Sequence, residues 1–342
     1  MNRRSFLVAG TASVAAAAQS GGHTGAAQDK GAQRLPVSKL QDFEKLGYGM
    51  FIHFGMSTFV VNELPDGKAP AQAYNPDRLD VDQWIQVVRD AGMKYAVLTT
   101  KHVAGHCLWP SRQTDYTVTN SGNKSDVVDA FVKACQKHKI MPGFYYCSWD
   151  NHNLFGSVTW SATKKGEKPY TTSLYQDFQS AQITELLSNY GVIGEVWIDI
   201  PDMLGQGYRQ YLYEHIARLQ PGALIMMNSG ISDQAEYDFG RNWPSDLIAI
   251  ERHVPPTSGH KQWREYLGKK YYMPGEVCDP IGKEWFYVER DQPRPDNELL
   301  DLYSQSRERG ANLLLDVGPD QHGLICDRYR SALLRLSRHV RG

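Results

Sequence analysis

From residue 48 onward the chain alternates short apolar runs with longer amphipathic ones, and this alternation limits the possible folds more than any other feature. The short runs cover 49–54, 95–99, 143–146, 195–198, 223–227, 247–250, 271–277 and 312–316. Each is too brief for a stable helix and apolar enough for a strand buried on both faces. Helical periodicity fills the gaps. Asp80 caps a helix with Trp84, Val87, Val88 and Ala91 on one side, closed by Gly92. Ser125 opens a second, with Val128, Phe131, Val132 and Cys135 on its apolar face. Further helical patterns run over 174–190, 208–219, 298–308 and 327–338. Eight strands alternating with helices predict a single (β/α)8 barrel. The rival, an open doubly wound sheet, asks for a glycine-rich phosphate turn after the first strand, and Phe54-Gly55-Met56-Ser57 is not one.

Length and composition agree with one well-cored domain: 342 residues, 41% hydrophobic and 11% aromatic. A formal net charge of -1, with no recurring basic block, gives no electrostatic footing for nucleic acid or for a membrane surface. The first residues read differently from the rest. Arg3-Arg4-Ser5-Phe6-Leu7 is a twin-arginine pattern followed by a mild apolar run to Ala18, which predicts an export signal and a periplasmic or secreted protein. That run is too short to span a bilayer. The expected division is signal and start of linker over 1–27, linker over 28–41, and barrel over 42–342. Five widely spaced cysteines, an odd count without C-x-x-C, read as structural thiols, with at most one pair left open.

In parallel α/β proteins, loops at the carboxyl ends of the strands build the active site. The residues at or just after those ends are His53, then Lys101 and His102, then Tyr145 with Trp149 and Asp150, then Asp199, Asn228, Glu251 and Glu276. Any one of these alone is an ordinary cap or turn residue. A succession of them on one barrel face predicts a common pocket. Asp199 ends Glu195-Val196-Trp197-Ile198-Asp199, a bare carboxylate beside an aromatic, which suits covalent catalysis on a sugar as well as it suits a helix cap.

Several segments resemble the α-L-fucosidases of glycoside hydrolase family 29. They are Gly49-Met50-Phe51-Ile52-His53-Phe54-Gly55, Leu98-Thr99-Thr100-Lys101-His102, Cys107-Leu108-Trp109-Pro110-Ser111 and Gly143-Phe144-Tyr145-Tyr146. The run Glu185 through Gly191, the Glu195–Asp199 strand and Gly310-Ala311-Asn312-Leu313-Leu314-Leu315 complete the series, in family order. The resemblance implies a retaining exo-hydrolase working through a covalent glycosyl-enzyme. It places the nucleophile on Asp199 and an aromatic covering the sugar on Trp197. It gives His53, His102 and Tyr145 to the pocket. It gives the acid/base to Glu251, within Ile250-Glu251-Arg252-His253-Val254, with Glu276 as second choice or supporting residue. Trp285 matches an aromatic against the sugar, and Glu63 a loop residue.

Three departures bear on the substrate. The family usually continues the strand-two histidine with another histidine and an acid, where this chain has Val103-Ala104-Gly105-His106. Asp199 precedes Ile200-Pro201 in place of the usual glycine, and Met227-Asn228-Ser229 lacks an arginine common in the family. The expectation is therefore hydrolysis of terminal α-L-fucosyl residues, with another L-sugar such as α-L-galactose, or a sugar-binding relative without activity, as alternatives. No cofactor is expected. A metal-dependent barrel hydrolase built on His53, His102 and Asp199 ranks low, because strand one offers no H-x-H. The partner expected is carbohydrate, and the sequence leaves oligomeric state open.

Overall fold

The computed structural model describes residues 30–153, 171–229 and 237–340. The expected signal over 1–27 lies outside them. Strands β1 (Tyr48–Ile52), β2 (Tyr95–Lys101), β3 (Met141–Cys147), β4 (Glu195–Asp199), β5 (Leu224–Asn228) and β6 (Ile248–Glu251) follow in chain order. A hairpin of β7 (Trp263–Tyr266) and β8 (Lys269–Tyr272) comes next, then β9 (Gly275–Pro280) and β10 (Ala311–Asp316). Eight parallel strands pair in the order β5-β4-β3-β2-β1-β10-β9-β6, a nearly closed barrel of the expected (β/α)8 type.

The helices are α1 (Val37–Leu46), α2 (Met56–Val60), α3 (Val81–Asp90), α4 (Val127–His138), α5 (Ser173–Asn189), α6 (Gln206–Leu219), α7 (Phe239–Asn242), α8 (Asp296–Glu308) and α9 (Asp327–Val340). Asp80 caps α3 through Gln83 N, as expected, whereas the cap of α4 is Asp126 and not Ser125. Residues 30–41, expected as linker, are partly built into the fold. They hold the first turns of α1, and Arg34 reaches Asp246 at 2.6 Å and the Pro221 and Ala223 carbonyls. All five cysteines are free thiols.

Side-chain alternation along the strands stacks the interior in layers. On β4, Glu195 belongs to the floor, Trp197 to the middle and Asp199 to the mouth; on β1, Gly49, Phe51 and His53 follow the same order. The floor is crowded: a Cβ on Gly49 would stand 2.6 Å from the Tyr95 ring, so only glycine fits there.

No ladder joins β5 to β6 among the described residues. Side chains close that seam. Ser245 Oγ shares its one hydrogen between the Leu247 carbonyl at 2.7 Å and the Ile225 carbonyl at 3.2 Å and accepts from Met227 N, while the Asp246 carboxylate accepts from Ile225 N, Arg34 and Tyr213. One backbone bond, Asp246 N to Ile225 O at 2.7 Å, crosses it as well.

Strand seven differs from the sequence reading. The aromatic Tyr271-Tyr272 belongs to hairpin strand β8, Pro274 separates it from the barrel, and the barrel strand starts only at Gly275. Glu276 is therefore the second residue of its strand, at the floor, and not at the mouth.

Candidate active site

The mouth residues of β1 to β6 line one cavity of about 160 Å³. That is well below the roughly 300–1,000 Å³ of sites that enclose drug-sized ligands, and is a volume for a single sugar-sized unit. Asp199, Glu251, His53, His102, Tyr145, Trp197, Trp285 and Glu63 all line it. Glu276 does not. It lies in the floor, where Tyr95 donates to its Oε1 at 2.6 Å and Glu195 is its neighbour, so it cannot reach a ligand at the mouth.

The two carboxyls at the mouth meet over Asn228. Its Nδ2 donates to Asp199 Oδ1 at 3.2 Å and to Glu251 Oε2 at 3.1 Å. Those oxygens are thus no farther apart than the two lengths laid end to end. Tyr145 donates to the other oxygen, Asp199 Oδ2, at 2.6 Å. Burial pushes the Asp199 carboxyl up to about 7, opposed first by the Tyr145 hydroxyl, reinforced by Glu251, and opposed again by the Ile200 N–H and Asn228. Burial also raises Glu251, opposed by Asn228 and by the charge of Arg252.

Each of these carboxyl residues precedes a left-handed residue, Ile200 at φ 51° and Arg252 at φ 61°. A β-branched side chain in that region is strained, and backbone strain gathers at functional sites. Ile200 thus keeps the turn that glycine makes easily, and adds a side chain to the pocket wall. Arg252 lies over the Trp285 ring at 4.8 Å.

The histidines form the opposite wall. His53 Nδ1 meets Asp316 Oδ1 at 2.7 Å, which leaves Nε2 for the pocket. Burial lowers His53 to about 3 and holds His102 well below its ordinary value, which favours neutral rings able to exchange hydrogen bonds with hydroxyls. His102 stacks on Tyr145 at 5.7 Å, and Trp285 packs against His53 at 5.2 Å. Glu63 comes from the loop after α2, held where Ser57 Oγ donates to its carbonyl at 3.2 Å.

Several expectations are resolved by placement. His106 does not replace the missing second histidine: it is buried between Tyr74 and Tyr116 and bonded to Ser121, while Val103 lines the pocket. Lys101 and Asp150 are also absent from the pocket lining, paired at 2.7 Å with both side chains fully buried. Asp316 is the residue the sequence reading missed. It ends strand eight as the others end theirs. Among the described residues, no three His, Cys, Asp or Glu side chains gather as metal ligands. A second cavity of about 190 Å³ adjoins β5 and β6, lined by Ile248, Ile250, His253 and His260, and carries neither mouth carboxylate.

Comparison with known proteins bears on the family and the fold. The family profile described as Alpha-L-fucosidase matches residues 13–342. The chain belongs to the α-L-fucosidase family. This member is 32% identical over 307 residues to Alpha-L-fucosidase 1 of Arabidopsis thaliana, covering 86% of the chain and 58% of the plant protein. It therefore spans less than three fifths of that relative's length. Among solved structures, α-L-fucosidase isoenzyme 1 from Paenibacillus thiaminolyticus superposes with a TM-score of 0.74 at 26% identity, covering 89% of this chain and 76% of that one. The family is one of glycoside hydrolases acting on O-glycosyl bonds.

Proposed function

We propose that this family member is an exported, retaining exo-hydrolase of terminal α-L-fucosyl residues, with Asp199 as nucleophile and Glu251 as acid/base. The observation that carries the reading is the shared Asn228 amide. Two carboxyl oxygens on one nitrogen, at 3.2 and 3.1 Å, stand closer than the roughly 6.5–9.5 Å of an inverting pair. In the first step an Asp199 oxygen attacks the anomeric carbon. The glycosidic C–O bond breaks, and its electron pair takes the proton of Glu251. In the second step water gives a proton to Glu251 while its oxygen attacks the same carbon, and the ester electron pair returns to Asp199.

The small cavity supports exo action on one terminal unit. Phe51, Val103 and Ile200 give it apolar walls, which suit a 6-deoxy sugar better than one bearing a hydroxymethyl group. His53, His102 and Tyr145 supply the hydrogen-bonding wall. Export rests on Arg3-Arg4 and the apolar run after them.

The test is a panel of aryl α-L-fucosides, α-L-galactosides and D-glycosides, with proton NMR of the product first released. Turnover of the fucoside with the α anomer appearing first is the expected result. The β anomer first would remove Asp199 as nucleophile. Binding without turnover on every substrate would make the chain a sugar-binding relative.

A further inference from the structure

Asn228 ends β5 directly opposite Asp199 in the β4–β5 register. Its side chain is nearly enclosed, at 6% relative exposure, and its own carbonyl accepts the Ile200 N–H at 2.7 Å. One residue thus holds the backbone just after the expected nucleophile and the side chains of both carboxyls. We infer that Asn228 is the positioning residue of the pair, fixing the separation of Asp199 and Glu251 and serving whichever of them carries the negative charge. This rests on the two-carboxylate reading above.

The chemistry of an amide fits that task. Nδ2 bears two hydrogens, so it can donate to both carboxyls at once, and it has no proton to lose. Before the first step the charge lies on Asp199 and Glu251 holds its proton. In the glycosyl-enzyme Asp199 is an ester, a weak acceptor, and Glu251 is the carboxylate. The charge crosses from one acceptor of Asn228 to the other and back, while the donor need not move. A preorganised donor aimed at the place where charge develops stabilises it without reorganisation at the moment of reaction. A hydroxyl in that place would supply one hydrogen for two acceptors. A carboxylate would add a third negative charge.

The test compares the full chain with Asn228→Ala and Asn228→Asp on aryl α-L-fucosides of good and poor leaving group, with thermal unfolding measured on each. Asn228→Ala should lose about 10- to 100-fold in kcat/KM, the worth of one hydrogen bond to a charged group, on both substrate types. Both limbs of its pH profile should move upward, because each carboxyl loses a donor that favours its ionised form. Azide should not rescue it, since the acid/base is still present. Asn228→Asp, although the same shape, should lose more. A merely structural role would lower the unfolding temperature and leave both limbs where they are; that result, or parental kinetics in either variant, overturns the inference. If Asn228→Ala does not fold, Asn228→Thr keeps most of the volume with a single donor, and at least one limb must still move. A parent that releases the inverted anomer sinks the two-carboxylate reading itself. A retaining parent with indifferent Asn228 variants sinks only the inference.

Discussion

Asp199 accepts from the Tyr145 hydroxyl and the Asn228 amide, whereas Glu251 accepts from Asn228 alone among the described residues. More donors make the better home for a single charge, which favours Asp199 as the anion of the pair and Glu251 as the keeper of its proton, against the burial and the Glu251 charge that raise Asp199. Because burial raises both carboxyls, kcat/KM should climb as pH rises above the ordinary carboxylate range and fall once Glu251 gives up its proton. Undiminished kcat/KM at about pH 5, near the ordinary carboxylate range, would contradict this. Glu251→Ala should cut hydrolysis of natural glycosides by about 10² to 10⁴, spare the first step with dinitrophenyl leaving groups, and recover turnover with azide. Asp199→Ala should lose both substrate types. Glu276→Ala should show no dependence on leaving group; if it does and Glu251→Ala does not, the acid/base assignment is wrong. Asp199 and His53 were legible in the sequence because a strand end with a reactive side chain is a pattern. Asn228 was legible as a strand end but not in its role, since a lone amide joins no motif until the barrel brings its two neighbours to it.

At the scale of elements, the alternating pattern located seven of the eight barrel strands within a residue or two. It failed at β9, where the β8 residues Tyr271 and Tyr272 read as part of the same strand. That slip moved Glu276 from floor to mouth, because an error of a few residues in a strand carries its side chains to the other end of the barrel. In the floor, burial and mutual repulsion raise Glu195, and burial raises Glu276, which accepts from Tyr95. A carboxyl raised by folding favours the protonated form, so its contribution is intact below the ordinary range of about 4.3 and is lost as pH rises through the folded value. Glu276→Gln, which stays neutral and keeps an acceptor for Tyr95, should flatten the fall in unfolding temperature between about pH 5 and pH 8. Equal slopes in parent and variant would show that this pair ionises without penalty. At the seam between β5 and β6, Asp246→Ala should cost about 3 kcal/mol in urea unfolding, since it removes the ion-pair partner of Arg34 and opens two further bonds. A loss indistinguishable from that of a surface substitution would mean the seam closes without it.

For the whole molecule, fold class followed from the number and order of segments, which is why the barrel was legible before any side chain was placed. The packing of residues 30–41 was not legible, because small polar residues give no periodic signal and Arg34 finds its partners only across long sequence separations. Expression with the first 27 residues intact should yield a shortened protein outside the cytoplasm, and Arg3→Lys with Arg4→Lys should retain it inside; mass spectrometry of each fraction decides. The seam between β5 and β6 has a mechanical consequence. Seven strand junctions of this barrel are zipped by backbone ladders, and the eighth is buttoned by two side chains and a single backbone bond. Asn228 sits on one lip of that opening and Glu251 on the other. Warming should loosen the eighth junction before the other seven, so amide exchange should quicken first at the edges of β5 and β6. Glu251, the proposed acid, would then drift from Asp199, the proposed nucleophile, while most of the barrel still held, so the proposed activity should fall silent some degrees before the protein melts.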